Sequence, residues 1–374
     1  MVFGPDRRCA LADNPYKALP DKAFWRRSVA NQQVHDVDPV GVFDIRLQPE
    51  TKVATAGSCF AQHIARHLKE SGFSYYVAEP GHPILPESIR IKHNYGLFSA
   101  RYGNIYTARQ LLQLFQRAYG TFVPKEDVWQ KGPDVFLDPF RPSSQPGGFI
   151  SEAEMRQDRS QHLAAVRCMF ETLDVFVFTL GLTECWRSIE DGAVFPICPG
   201  VEGGAFDPQR HQFYNQTYED VVLDLTQFLV HLARVNPRAQ VILTVSPVPL
   251  MASAERGAHV LSATTYSKSV LRVAAETMRN RYGNVHYFPS YEIITGAFNR
   301  GSYYAADLRN VLEDGVSHVM RLFMHHATSG EGEKPFVPAS GEGQVQTPSA
   351  ADDHLARAEN LVEVECDEVA LDKG

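Results

Sequence analysis

The stretch that most constrains the fold is Asp174-Val175-Phe176-Val177-Phe178-Thr179-Leu180. It is apolar at odd and even positions alike, so both of its faces must be covered. Strands buried on both faces are typical of parallel sheets, whose crossover helices coat each side. Gln240 to Val245 reads as a second buried strand and Val285 to Phe288 as a shorter one. Amphipathic segments alternate with them. Tyr218 to Val235 sets Val221, Leu225, Phe228 and Leu232 on one face. Ser151 to Thr172 opens with Ser151 and Glu154 in capping-box spacing and carries Leu163, Val166, Met169 and Phe170 on its face. Thr107 is an N-cap for Ala108 to Ala118, and Thr264 to Arg281 and Gly315 to His326 complete the helical set. The alternation predicts a three-layer α/β/α sandwich with a mainly parallel sheet.

Near the start of this pattern, Leu47 to Thr55 supplies the first strand and meets a Gly57-Ser58 corner. A helix follows from Phe60 to Glu70, with Phe60, Ile64 and Leu68 at helical spacing and Gly72 at the C′ position. Phe73 to Val77 is β-rich and reads as a second strand. A serine at such a corner has two uses. It caps the helix, as serines often do, or it exploits the free N–H groups of the helix start as a nucleophile or anion ligand. In open parallel sheets, ligands collect outside the carboxyl ends of the strands. Gly57-Ser58, Gly181-Leu182-Thr183-Glu184 and Ser246-Pro247 all fall at such ends and are expected to form one site.

Length and charge narrow the function classes. The chain has 374 residues and a net charge of −8, which argues against a nucleic-acid binder. Its six cysteines form no C-x-x-C pair, so they read as reduced, mostly buried thiols rather than a metal or redox motif. Met1 to Pro20 lacks an apolar h-region and no run approaches a membrane span, so a soluble cytoplasmic protein is expected. Neither a phosphate-binding G-x-x-x-x-G-K-[ST] nor a credible G-x-G-x-x-G is present, and no metal or other cofactor is expected. The expected organisation is an arm over 1–46 packing on one α/β domain over 47–326, followed by a disordered acidic tail over 327–374. Two long connections stand out: a Pro/Gly-rich one from Gly120 to Gly148, read as functional or lid-like, and a Gly-rich excursion from Gly181 to Phe213.

The string Gly57-Ser58-Cys59-Phe60-Ala61 resembles the signature of the GSCFA family. The resemblance extends over roughly Leu47 to His326 and implies a branch of the SGNH (GDSL-type) hydrolases. There the serine after the first strand is the nucleophile of esterases and acyltransferases. The implied activity is hydrolysis or transfer of an ester through an acyl-Ser58 intermediate. The implied substrate is an acylated carbohydrate or glycoconjugate. The alternative is a non-catalytic, carbohydrate-binding or complex-forming protein on a degenerate scaffold.

The resemblance also implies partners for Ser58. SGNH enzymes carry Asp-x-x-His just before the last helix, and the matching stretch here is Asp307-Leu308-Arg309-Asn310. Asp307 fits, but Asn310 stands in the histidine position and cannot accept the serine proton. His318, four residues after Asp314, and His259, ahead of Ser267-Lys268, are the candidate replacements. Gly181, Thr183 and Glu184 take the place of the oxyanion-hole Gly-x-Asn, and Asn94 with Gly96 resembles the second oxyanion element. Cys59 competes with Ser58 as a nucleophile at the helix start. Lys268 reads as a solvated helix lysine, His82 and His93 as turn or core histidines. Trp129 and Trp186 read as loop residues whose indoles either stack on a sugar or anchor the loops.

Overall fold

The computed structural model describes residues 14–58 and 60–328. In chain order the elements are β1 (Val53–Gly57), α1 (Phe60–Glu70), α2 (Glu87–Lys92), α3 (Ala108–Ala118), β2 (Trp129–Gln130), β3 (Phe136–Leu137) and α4 (Glu152–Thr172). They continue as β4 (Val175–Leu180), β5 (Glu184–Ser188), β6 (Val194–Phe195), β7 (His211–Asn215), α5 (Tyr218–Val235), β8 (Gln240–Val245), α6 (Val260–Arg281), β9 (Val285–Tyr287), α7 (Ser290–Thr295) and α8 (Glu313–Thr328). Among the described residues the central sheet has four parallel strands in the order β1-β4-β8-β9. Helices cover both of its faces, giving the three-layer α/β/α sandwich. No helix among the described residues is long and apolar enough to cross a membrane.

Strand alternation sorts the core into two layers. Ala54, Ala56, Phe176, Phe178, Leu180, Leu243 and Val245 point to the side covered by α3, α4, α5 and α6. Val53, Val175, Val177 and Ile242 point to the side covered by α1, α7 and α8. Val40, Phe43, Ile45 and Leu47 join this second layer, with Phe43 edge-on to Phe288 and Phe323. Leu47 N–H donates to the Ala327 carbonyl at 2.7 Å, so the arm is tied to the last helix.

Three sequence expectations change. β1 begins at Val53, not Leu47, because Gln48 to Thr51 closes a turn. Phe73 to Val77 makes only a single bridge, Tyr75 to Val53, rather than a strand. Thr55 N–H, which a longer neighbour would occupy, donates instead to Ser99 Oγ at 2.9 Å. The excursion after β4 is not irregular: β5, β6 and β7 form an antiparallel sheet in the order β6-β5-β7.

Helix starts follow their sequence signals. Thr107 and Gln110 form a closed capping box at α3. Ser151 Oγ accepts from Glu154 N–H, but the Glu154 carboxylate accepts from Ile150 N–H, so that box stays half-made. The 120–148 connection is tied to the domain at a buried carboxylate. Asp138 within it is buried and accepts from Arg141 Nε at 2.9 Å and Arg159 Nε at 3.0 Å. Trp129 is fully packed in β2 against Phe195 and donates its indole N–H to Glu126, while Trp186 lies in β5 edge-on to Phe206 and Phe213. Of the described cysteines, Cys185 is buried and its thiol is pushed up to about 12 by desolvation; Cys168 is exposed. The expected tail lies outside the described residues apart from its first two, which end α8.

Phe176 is wholly buried among Phe170, Phe178 and Phe228. Phe176→Ala should cost ~3–5 kcal/mol. The check is a lowered denaturant midpoint at unchanged m.

Candidate active site

The site is built from three strand ends. Gly57 closes β1 in register with Thr179 of β4, which is in register with Thr244 of β8. Gly57 has φ +138°, and a Cβ there would stand 2.4 Å from the Thr179 carbonyl oxygen. Only glycine fits this corner. Ser58 then turns out of the sheet. Its N–H points at Thr179 O at 3.4 Å, and its carbonyl accepts from Ala61 N–H at 2.9 Å as α1 begins. Ser58 is 4% exposed, and its Oγ is buried with no hydrogen bond among the described residues. Cys59 lies outside them.

The β4 end is clamped beside it. Ile105 N–H donates to Gly57 O, while Gly181 and Leu182 N–H both donate to Tyr106 O. The Ile105-Tyr106 step therefore bridges the two strand ends. Gly181 O accepts from Lys268 Nζ at 2.7 Å. Lys268 is 1% exposed, so it is a buried buttress from α6 and not a solvated lysine. Thr183 N–H donates to Ser267 Oγ at 2.9 Å, and its hydroxyl donates to Asn215 Oδ1 at 2.7 Å. The Glu184 carboxylate accepts from Ser253 Oγ at 2.6 Å and Ala254 N–H at 3.2 Å, while burial raises its pKa against those bonds. At the β8 end, Ser246 N–H donates to Leu180 O and Tyr304 Oη donates to Pro247 O, both at 2.8 Å.

The remaining candidates are placed as follows. Asp307 accepts from the backbone of Arg309 and Asn310 and, at 2.7 Å, from Asn310 Nδ2. The Asp-x-x-Asn pair is thus closed on itself, in an exposed hairpin bridged by Tyr304 and Val311. His318 is buried on α8, pairs with Tyr303 Oη through Nδ1 at 2.8 Å, and lies edge-on to His35 and Phe298; it is Tyr303, not Asp307 or Asp314, that it hydrogen-bonds. Desolvation holds its pKa down to about 4, with Arg321 adding to the effect. His259 is the exposed N-cap of α6, and its Nδ1 accepts from Leu261 N–H. Asn94 donates to Ser143 O, and Gly96 O accepts from Lys69 Nζ near the C-terminal end of α1. Nine residues of helix, ~14 Å at 1.5 Å each, separate Lys69 from the helix start beside Ser58.

Sequence reasoning missed Gln62 and Thr179. Gln62 lies in the first turn of α1, where side chains lean back toward the helix start. It is 7% exposed, and neither its Nε2 nor its Oε1 has a hydrogen-bond partner among the described residues. Thr179 Oγ1, opposite Gly57, is likewise buried without one. No sequence signal marked Gln62, whose helix face also carries Arg66 and Lys69.

Fold and site together define a class: an α/β protein whose parallel sheet presents a buried serine at its first strand-to-helix corner. The chain belongs to the GSCFA family, whose model matches residues 52–323. No curated protein matches it.

Two outcomes follow from this geometry. Gly57→Ala should cost more than ~3 kcal/mol through strain and displacement of Thr179, read as a large drop in thermal midpoint. His318 should make stability pH-dependent. The unfolded chain takes up its proton near the ordinary value of about 6.5, whereas the folded chain takes it only near about 4. The contribution is full above the first value and is lost as pH falls toward the second. His318→Gln should flatten the melting-temperature slope in that window; an unchanged slope would clear His318 of the effect.

Proposed function

We propose that the chain is an SGNH-like serine esterase or O-acyltransferase acting on an acylated carbohydrate or glycoconjugate. The observation that carries this reading is Ser58: a buried hydroxyl without a hydrogen-bond partner among the described residues, fixed where three strand ends meet. Ser58 Oγ attacks the acyl carbonyl carbon, the ester C–O bond breaks, and the alcohol departs with a proton. Water or an acceptor hydroxyl then attacks acyl-Ser58, giving hydrolysis or transfer. The carbohydrate part of the reading comes from the family resemblance.

The negative charge on the tetrahedral oxygen needs donors that are not already committed. Thr183 Oγ1 and Asn94 Nδ2 are committed to Asn215 and Ser143, and Gly181 N–H to Tyr106. Gln62 Nε2 and Thr179 Oγ1 are not. They take the oxyanion-stabilising role in this proposal.

The proton from Ser58 passes to a histidine, with His318 and His259 as the candidates. No histidine nitrogen among the described residues bonds Ser58 Oγ, and catalytic contacts often close only with substrate in place. Burial keeps His318 neutral at pH 7 but draws its pKa down to about 4, which weakens it as a base unless substrate binding restores its basicity. His259 Nδ1 accepts a backbone N–H, so the neutral ring carries its proton on Nε2 and must release that bond to act as a base.

A second reading, a carbohydrate-binding or complex-forming protein without chemistry, is favoured by the Asp307–Asn310 bond. It fills the place of an Asp–His pair with an amide that accepts no proton. A panel of short acyl esters separates the two. Ser58→Ala should lower turnover on the order of 10³-fold or more and leave the melting temperature within a few degrees. Gln62→Leu should lower turnover ~10²-fold while keeping or raising the melting temperature, because an unsatisfied buried amide is removed. A base is named by whichever of His318→Ala and His259→Ala gives a comparable loss. Turnover that appears only in Asn310→His would establish the non-catalytic reading.

A further inference from the structure

We propose that the groove between α3 and α4 is a second binding site, for a phosphate monoester, distinct from the Ser58 corner. The groove is open to solvent, with a volume of about 790 Å³ including its mouth. That leaves room for a small molecule and not only a bare ion. Arg156, Arg159 and Arg167 line it from α4, and Arg117 and Tyr119 from the end of α3; no carboxylate lines it.

Arg117 is the anomaly that points to a ligand. It is 9% exposed, and its Nη2 is buried without a hydrogen bond among the described residues. The nearest carboxylate oxygen, Asp138 Oδ1, is 3.8 Å away, and Asp138 is already held by Arg141 and Arg159. Stacking on Phe140 at 3.9 Å supplies part of the missing stabilisation. Burial draws the Arg117 pKa down to about 10 in spite of Asp138, and Arg159 and Arg141 add to the fall. A buried cation this weakly paired is costly, and an anion in the groove, which Arg117 also lines, would offset its charge.

The rest of the groove is prepared for such a ligand. Arg159 is fixed from behind by Asp127 and Asp138, and Arg156 by Asp127 and Glu152, so both guanidinium groups are ordered before anything binds. Arg167 is exposed and makes no ion pair among the described residues. Guanidinium groups from two helices suit the several oxygens of one phosphate. The Tyr119 ring, stacked on Phe115 at 4.4 Å with its hydroxyl donated to the Glu171 carboxylate, and Leu163 form a wall for the rest of the molecule. The α3 C-terminus opposes an anion by ~0.3–1 kcal/mol, which the charge of Arg117 in its last turn offsets. A chain with net charge −8 has no general basic surface for a polyanion, so the attraction is local.

The test titrates full-length protein with inorganic phosphate and with phenyl phosphate, against potassium chloride at matched ionic strength. The readouts are melting temperature and ³¹P line width. A saturable rise of several degrees with phenyl phosphate is expected, with at least several-fold tighter binding than inorganic phosphate. It should be unchanged in Ser58→Ala and largely lost in Arg156→Ala/Arg167→Ala, a surface pair whose removal leaves the core intact. Arg117→Met should weaken phenyl phosphate binding at least several-fold, and an undiminished affinity in this variant would overturn the part given to Arg117. A non-saturating rise that is equal in wild type and the double variant would be general stabilisation by exclusion of a kosmotropic anion from the surface and would overturn the proposal. Equal affinity for the two phosphates would overturn its small-molecule part.

Discussion

Everything at the carboxyl edge of the sheet depends on the close approach of Gly57 to Thr179. A side chain at Gly57 would meet the Thr179 backbone at 2.4 Å, so the last rung of the β1–β4 ladder exists only because that residue is glycine. The same residue turns the chain at a positive φ and delivers Ser58 to the start of α1. Its carbonyl then receives Ile105 N–H, and the adjoining Tyr106 carbonyl receives Gly181 and Leu182 N–H. One backbone contact thus sets the serine, the bridging loop and the β4 end in a fixed relation.

Around this contact the polar groups divide into two kinds. Buttressing groups are fully committed: Lys268 to Gly181, Ser267 to Thr183, and the Glu184 carboxylate to Ser253 and Ala254. Ser58 Oγ, Thr179 Oγ1 and the Gln62 amide are buried and uncommitted among the described residues. Leaving a buried polar atom unpaired costs ~1–3 kcal/mol. Folded proteins tolerate such costs chiefly where binding or chemistry uses them. The concentration of three at the serine corner, inside a well-paired frame, is what makes the corner a candidate for chemistry.

The layers, the sheet edge and most helix boundaries were legible because they are written in local pattern. Phe60–Glu70, Tyr218–Val235 and Gln240–Val245 follow directly from apolar spacing and caps. What failed to show was tertiary. Phe73 to Val77 has strand composition, yet Ser99 takes the Thr55 N–H that a longer pairing needs. The strands β5 to β7 did not show because each is only two to five residues long, too short to display a period, and glycine-rich connections separate them. Lys268 reads as solvated by charge alone, and only the fold reveals the carbonyl that holds it. At the site, Ser58 was legible from its corner. Gln62 was not, since a buried unpaired amide cannot be distinguished in sequence from a surface glutamine. Asp307 and Asn310 were legible as a spaced polar pair, and the structure shows how they meet, an amide bonded to the carboxylate.

The central claim is that Ser58 is an activated nucleophile, and peptide mapping after treatment of the wild-type protein with a fluorophosphonate tests it most directly. The account predicts a single stoichiometric adduct on the peptide that contains Ser58, located by fragmentation to the serine oxygen. An adduct at another residue, or an unmodified protein under conditions that label a control serine esterase, would contradict it.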